Sequence, residues 1–217
     1  MNREALRRRV RVLAQDLNDP PLWADEDVND WLEDAQREAA IRARLLRATP
    51  AANPDLCQFA VTAGIAAVQL PASVYEISYA SWDHAKLPVV SREWLDTERV
   101  DWRQLPNDEP QYIIQDGQQL QLVPAPGIDG TLRIEGYRLP TPMAQDADEP
   151  DIPEVHHRHL IQWALHIGYS IPDADLFNPE KSARAEDEFT LYFGPRPDAD
   201  LRASTRHDEP QRIVAHW

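Results

Sequence analysis

Apolar residues recur every third or fourth position near both ends of the chain and every second position in between. Leu6, Val10, Leu13 and Leu17 step at helical spacing and predict a first helix over about residues 2–16. After Asn18-Asp19-Pro20-Pro21, the positions Val28, Trp31, Leu32, Ala35, Ala39, Arg42, Leu45 and Leu46 form one stripe along about five turns. Asp25 or Asp27 is the expected N-cap of this second helix, and Thr49-Pro50 its stop. From Leu56 to Pro140 the period drops to two, and β-branched and aromatic residues cluster between Pro and Gly breaks. Strands are expected at 56–62, 66–70, 73–80, 112–115, 118–123 and 131–137. Asp116-Gly117 marks a hairpin because it offers the positive φ angles of a tight turn. Ser91 caps a short inserted helix over 91–95, with Trp82, Trp94 and Trp102 as core or interface plugs.

Helical spacing returns with Leu160, Trp163, Ala164 and Ile167, preceded by Asp151 and Glu154 in the pattern of a capping box. A last helix opens at Asn178-Pro179, presents Ala185, Phe189, Tyr192 and Phe193 on one face, and stops at Gly194-Pro195. Residues 195–217 show no periodicity. The expected class is α+β: an antiparallel bundle of about four helices (1–50 and 143–194), an inserted antiparallel β domain (51–142) that is a meander or small barrel, and an extended C-terminal tail (195–217).

Charge changes the picture more than size does. The 217 residues carry 22 Lys and Arg against 37 Asp and Glu, a net charge of −15 that repels phosphate and anionic membrane. A wrapping nucleic-acid binder and a membrane-surface protein are disfavoured. The longest apolar stretch, 59–72, is too short and too interrupted to span a bilayer. The lone Cys57 cannot form an internal disulfide, which fits a reducing compartment. Against this acidity the first helix holds Arg3, Arg7, Arg8, Arg9 and Arg11. Such polarity suggests docking on an acidic neighbour in the same chain or another subunit, or else one solvated face. Residues 143–154 hold five carboxylates and no base, and read as an exposed connection.

The only concentration of catalytic residue types is His156, His157, His159 and His166. His159 and His166 lie about 10 Å apart along a helix axis, so no three-ligand site closes on this helix alone. A metal-dependent hydrolase using these histidines with carboxylates from the acidic connection is the enzyme reading, and packing histidines are the alternative preferred. No Gly-rich phosphate loop and no nucleophile elbow occurs. No cofactor or catalytic residue is expected.

Several stretches, taken in order, resemble the head-to-tail adaptor (connector) proteins of tailed bacteriophages. They are Trp31-Leu32-Glu33-Asp34-Ala35, Asp101-Trp102-Arg103, Gln121-Leu122-Val123-Pro124-Ala125-Pro126 with Gly130-Thr131-Leu132, and Gly136-Tyr137-Arg138. Pro150-Asp151-Ile152-Pro153-Glu154 leading to His159-Leu160-Ile161-Gln162-Trp163-Ala164-Leu165 completes the set. The resemblance implies a homo-oligomeric ring, commonly of twelve copies, bound beneath the portal protein in the virion after assembly in the host cytoplasm. It also implies a channel through which DNA passes without specific binding, and a platform for a tail nozzle or tube protein. A tail-completion or stopper protein of similar architecture is the alternative. On this reading Arg7, Arg8 and Arg11 are expected at inter-subunit contacts. Arg212, Ile213, Val214 and Trp217 are expected to bind the portal.

Overall fold

The computed structural model describes residues 1–172 and 176–197. In chain order its elements are α1 (Arg3–Ala14), α2 (Asp25–Ala43), β1 (Arg47–Ala48), α3 (Pro54–Cys57), β2 (Gln58–Val61), β3 (Ala67–Gln69) and β4 (Val74–Trp82). They continue as β5 (Ala85–Leu87), β6 (Val89–Val90), α4 (Arg92–Glu98), β7 (Tyr112–Asp116), β8 (Gln119–Val123), β9 (Gly130–Arg138), α5 (Leu160–Ser170) and α6 (Pro179–Phe193). The class is mixed α+β, with six α-helices among the described residues. Two compact units divide the chain: a helical one from residues 1–46 and 139–196, and a β-rich one from residues 47–138.

In the helical unit, α1 and α6 each lie against both α2 and α5, which also pack on each other. The stripe expected on α2 is buried at Val28, Trp31, Leu32, Ala35 and Ala39. Trp23 meets Trp31 edge-on at 5.2 Å and Tyr169 at 5.6 Å. A Cβ on Gly168 would come within 2.8 Å of the Trp23 ring, so this close approach requires glycine.

Four expected helix boundaries differ. The first helix ends at Ala14, where Gln15 turns left-handed (φ 62°). Its buried stripe therefore runs Leu6, Val10, Ala14, while Leu13 and Leu17 are 52% and 73% exposed. The second helix has Ala24 at its N-cap with no side-chain bond; Asp25, Glu26 and Asp27 occupy the first turn, where their negative charge is stabilised by the positive end of the helix dipole. It leaves through left-handed Arg44 (φ 51°), before Thr49-Pro50, because residues 47 and 48 join β9 as an edge strand. No capping box forms at Asp151. Its carboxylate instead accepts from the Thr141 N–H at 2.9 Å, and a 3-10 turn over Glu154–His159 precedes α5.

The β unit holds two sheets. In one, β9 is the hub, pairing antiparallel with β1, β2 and β4, and β4 continues to β5. In the other the order is β3-β8-β7-β6, antiparallel except for the parallel β6–β7 pair. Neither set of described strands closes into a barrel. A cluster including Val74, Ile77, Trp82, Ile113, Leu122 and Ile134 fills the main core, and a second gathers Val90, Leu95, Trp102, Ile114 and Val123. Ser91 caps α4 by accepting from the Trp94 N–H at 3.1 Å. Of the three tryptophans, Trp82 and Trp102 are buried and Trp94 is 36% exposed.

The expected hairpin is present between β7 and β8, but Asp116 stays in the strand and only Gly117 takes a positive φ (58°). The turn with two positive φ angles is Asp83-His84 (41° and 83°), joining β4 to β5. The strand expected from residue 56 is shortened by α3, which Pro54 opens. Gly136 sits where β4 bulges against β9; a Cβ there would fall 2.1 Å from the Glu76 carbonyl oxygen.

Candidate assembly surfaces

The five arginines of α1 divide between two sets. Arg3, Arg7 and Arg11 follow one another at four-residue spacing, which places them on one face. All three are engaged within the helical unit. Asp146, in the acidic connection, accepts from Arg3 at 2.9 Å and from both terminal nitrogens of Arg7 at 2.9 and 3.0 Å. Arg7 also donates to Asn29 at 2.9 Å and approaches Asp25 at 3.4 Å. Arg11 binds the buried carboxylate of Asp16 at 2.7 Å, the Trp23 carbonyl at 2.8 Å, and Asp25. Asp16 in turn accepts from the backbone N–H groups of Leu22 and Trp23, tying the loop between α1 and α2. Hydrogen bonds from Arg7 and Arg3 hold the Asp146 carboxyl down at about 2. The acidic connection, exposed as expected over most of its length, is also the seat of the basic helix. The connection is fixed further by the Arg3 and Glu4 backbone N–H groups, which donate to the Asp148 and Asp146 carbonyls.

Arg8 and Arg9 belong to the second set. Both are exposed and take no ion pair among the described residues. Val12 and Leu13, one turn further on the same face, are also exposed, at 54% and 52%.

His156, His159 and His166 meet α6 from the 3-10 turn and α5, whereas Nδ1 of His157 lies 3.0 Å from the Met1 amino group. His159 stacks on Tyr192 with ring centroids 3.4 Å apart, and His156 Nδ1 lies 3.1 Å from the Tyr192 hydroxyl. His157 is buried, with Nε2 2.9 Å from the Ile152 carbonyl. His166 Nδ1 is 3.0 Å from the Ser182 hydroxyl. Burial lowers the His156 and His159 pKa values, so both favour the neutral ring. Each histidine contacts a neighbouring group, His156 and His159 sharing Tyr192, and the described residues contain no group of three His, Cys, Asp or Glu that could hold a metal ion.

At the end of α6, Arg42 is buried and donates to Glu38 at 2.9 Å and Thr190 at 3.1 Å. Its guanidinium lies 4.7 Å from the Trp163 ring centre, and that of Arg196 lies 5.0 Å from the same ring while bonding Glu186 at 2.7 Å. These contacts fasten the point where the C-terminal segment leaves α6. Arg212, Ile213, Val214 and Trp217 lie outside the described residues.

In the β unit, a cleft of about 460 Å³ is walled by Trp82, Asp83, Asn107, Asp108, Glu109 and Ile128, among others. Neither His, Cys, Lys nor Arg lines it. No described helix is long and apolar enough to cross a membrane.

What sequence reasoning missed was specific: Asp146 as the arginine receptor and Tyr192 as the ring on which His159 stacks. The available signal was that the five-arginine helix and the carboxylate run at 143–154 are complementary in charge. A family model described as SU10 adaptor protein matches residues 1–213. No curated protein matches the chain.

Proposed function

We propose that this chain, which belongs to the SU10 adaptor protein family, is a structural head-to-tail adaptor of a tailed phage. Copies form a ring, commonly twelve in such assemblies, beneath the portal protein of the packaged head. The ring extends the DNA channel, helps to retain the genome, and presents the platform on which a tail nozzle or tube protein docks. The site of action is the head-tail junction of the virion, reached after assembly in the host cytoplasm. No catalysis, metal or cofactor enters the mechanism.

The single observation that carries this reading is the extent of the family match, over residues 1–213, which takes in the helices, the β strands and most of the C-terminal segment. The charge supports it. A body with net charge −15 lets DNA slide past without adhering, because like charges repel across a narrow passage. Arg8 is free for a neighbouring copy, whereas Arg7 and Arg11 serve such a contact by fixing the helix that presents it. Arg212, Ile213, Val214 and Trp217 supply a cationic and apolar end of the kind that binds a preformed groove, with Trp217 as the anchor.

Pull-down on portal from the same genome tests the proposal. The full chain is expected to be retained. Loss of residues 212–217 is expected to weaken retention while leaving the thermal unfolding midpoint within about 1 °C, since only the C-terminal anchor is removed. Failure of the full chain to bind portal would contradict the proposal, and equal binding by the truncated chain would remove the segment from it.

A further inference from the structure

Two exposed helix faces of the helical unit carry groups with no ion-pair partner among the described residues, and the two faces match each other. On α1, Arg8 and Arg9 are followed one turn later by Val12 and Leu13, about 6 Å along the axis. On α6, Asp187 is followed one turn later by Leu191, whose 89% exposure is the highest of any large apolar side chain described. The first face runs from cation to apolar and the second from anion to apolar, in the same N-to-C direction and with the same spacing. Asp187 takes no ion pair among the described residues, whereas its neighbour Glu188 is shared with Arg184 at 3.3 Å.

The two faces do not pair with each other within one copy. Helices α1 and α6 both pack on the α2–α5 pair and make no substantial contact with one another, and Arg8, Arg9 and Asp187 form no ion pair among the described residues. A contact that joins one face to the other must therefore run between copies. It is heterologous, and repetition of the same rotation closes it into a ring.

Resting on the adaptor reading, we infer that the outer face of α1 (Arg8, Arg9, Val12, Leu13) docks in parallel register on the outer face of α6 (Asp187, Leu191) of the adjacent copy. Charge sets the register, and the apolar residues exclude water beside the ion pair. A second copy is the occupant because its complementary face belongs to this same chain, and because an acidic body has few other uses for a cationic-apolar stripe.

The test mixes two populations of the full chain, Leu13→Cys and Leu191→Cys, on portal from the same genome under mild oxidation. Cys57, the native thiol, is buried and gives no background. Covalent dimers are expected in the mixture and in neither population alone. In parallel, the R8E/R9E variant and the D187K variant should each assemble at least about tenfold more weakly, since like charges then face each other. Mixing those two variants should restore assembly, because every contact then pairs opposite charges.

Cross-links within a single population would indicate a symmetric contact and overturn the inference. So would assembly of both charge variants at full strength. In either case assembly of the unaltered chain on portal leaves the adaptor reading intact. If the unaltered chain associates neither with itself nor on portal, both fall.

Discussion

Asp146 holds two separate arginines of α1 at once, and its charge is the condition for doing so. Its carboxyl, ordinarily at 3.8, is held at about 2 by Arg7 and Arg3. A depressed pKa in the folded state contributes stability above the ordinary value, which is lost as pH falls from about 4 to about 2. Asp146→Asn should therefore lower the thermal midpoint at pH 6, and the gap from the unaltered protein should close on acidification through that window. A constant gap from pH 6 to pH 2 would show that the loss is one of packing. The histidines act higher on the pH scale. Because burial lowers the pKa values of His156 and His159 from 6.5, the unfolded chain takes up their protons first. Stability is therefore lost as pH drops below about 6.5. The Tyr192 stack and the Ser182 hydroxyl hold His159 and His166 against α6, and the Ile152 carbonyl and the Met1 amino group hold His157.

At the scale of elements, backbone conformation decides what residue type alone leaves open. Asp83-His84 turns with two positive φ angles and no glycine, a conformation that costs L residues about 1 kcal/mol each. His84→Gly should raise stability to chemical denaturation by about 1 kcal/mol; an unchanged or lower midpoint would contradict this account of the turn. Gly136→Ala should do the opposite, costing about 3 kcal/mol because the added methyl meets the Glu76 carbonyl at the bulge of β4. A neutral substitution there would mean that the β4–β9 pair can shift. Most elements were legible because their periodicity is strong. The strands expected at 66–70, 73–80, 112–115, 118–123 and 131–137 each lie within two residues of β3, β4, β7, β8 and β9. The stripe on α2 stands from Val28 to Arg42, although Leu45 and Leu46 fall beyond the helix end, and the Asn178-Pro179 start of α6 stands as read. Missed were β1, β5 and β6, of two or three residues each, too short to show a period. The early exit of α2 at Arg44 was hidden because the gain that favours it, pairing of β1 with β9, comes from residues some ninety positions away. The docking of α1 on Asp146 was hidden for the same reason, being a contact across 139 residues.

For the molecule as a whole, charge is partitioned rather than merely negative. Within the helical unit the cations of Arg3, Arg7 and Arg11 are engaged by local carboxylates, whereas Arg8, Arg9 and Asp187 form no ion pair among the described residues and are the groups assigned above to the contact between copies. Association through such groups is sensitive to ionic strength, and raising salt from 50 to 500 mM should weaken attachment of added copies to one another, since exposed charges are screened beyond about a Debye length. Salt-independent assembly would place the contact on buried apolar surface instead. The most direct measurement of the central claim is electron microscopy of purified portal mixed with the full chain, with the native mass of each component taken alone. The account predicts added density in a closed ring capping one end of the portal, with a whole number of copies that the mass of the complex counts. Bare portals beside unassembled chain would contradict it.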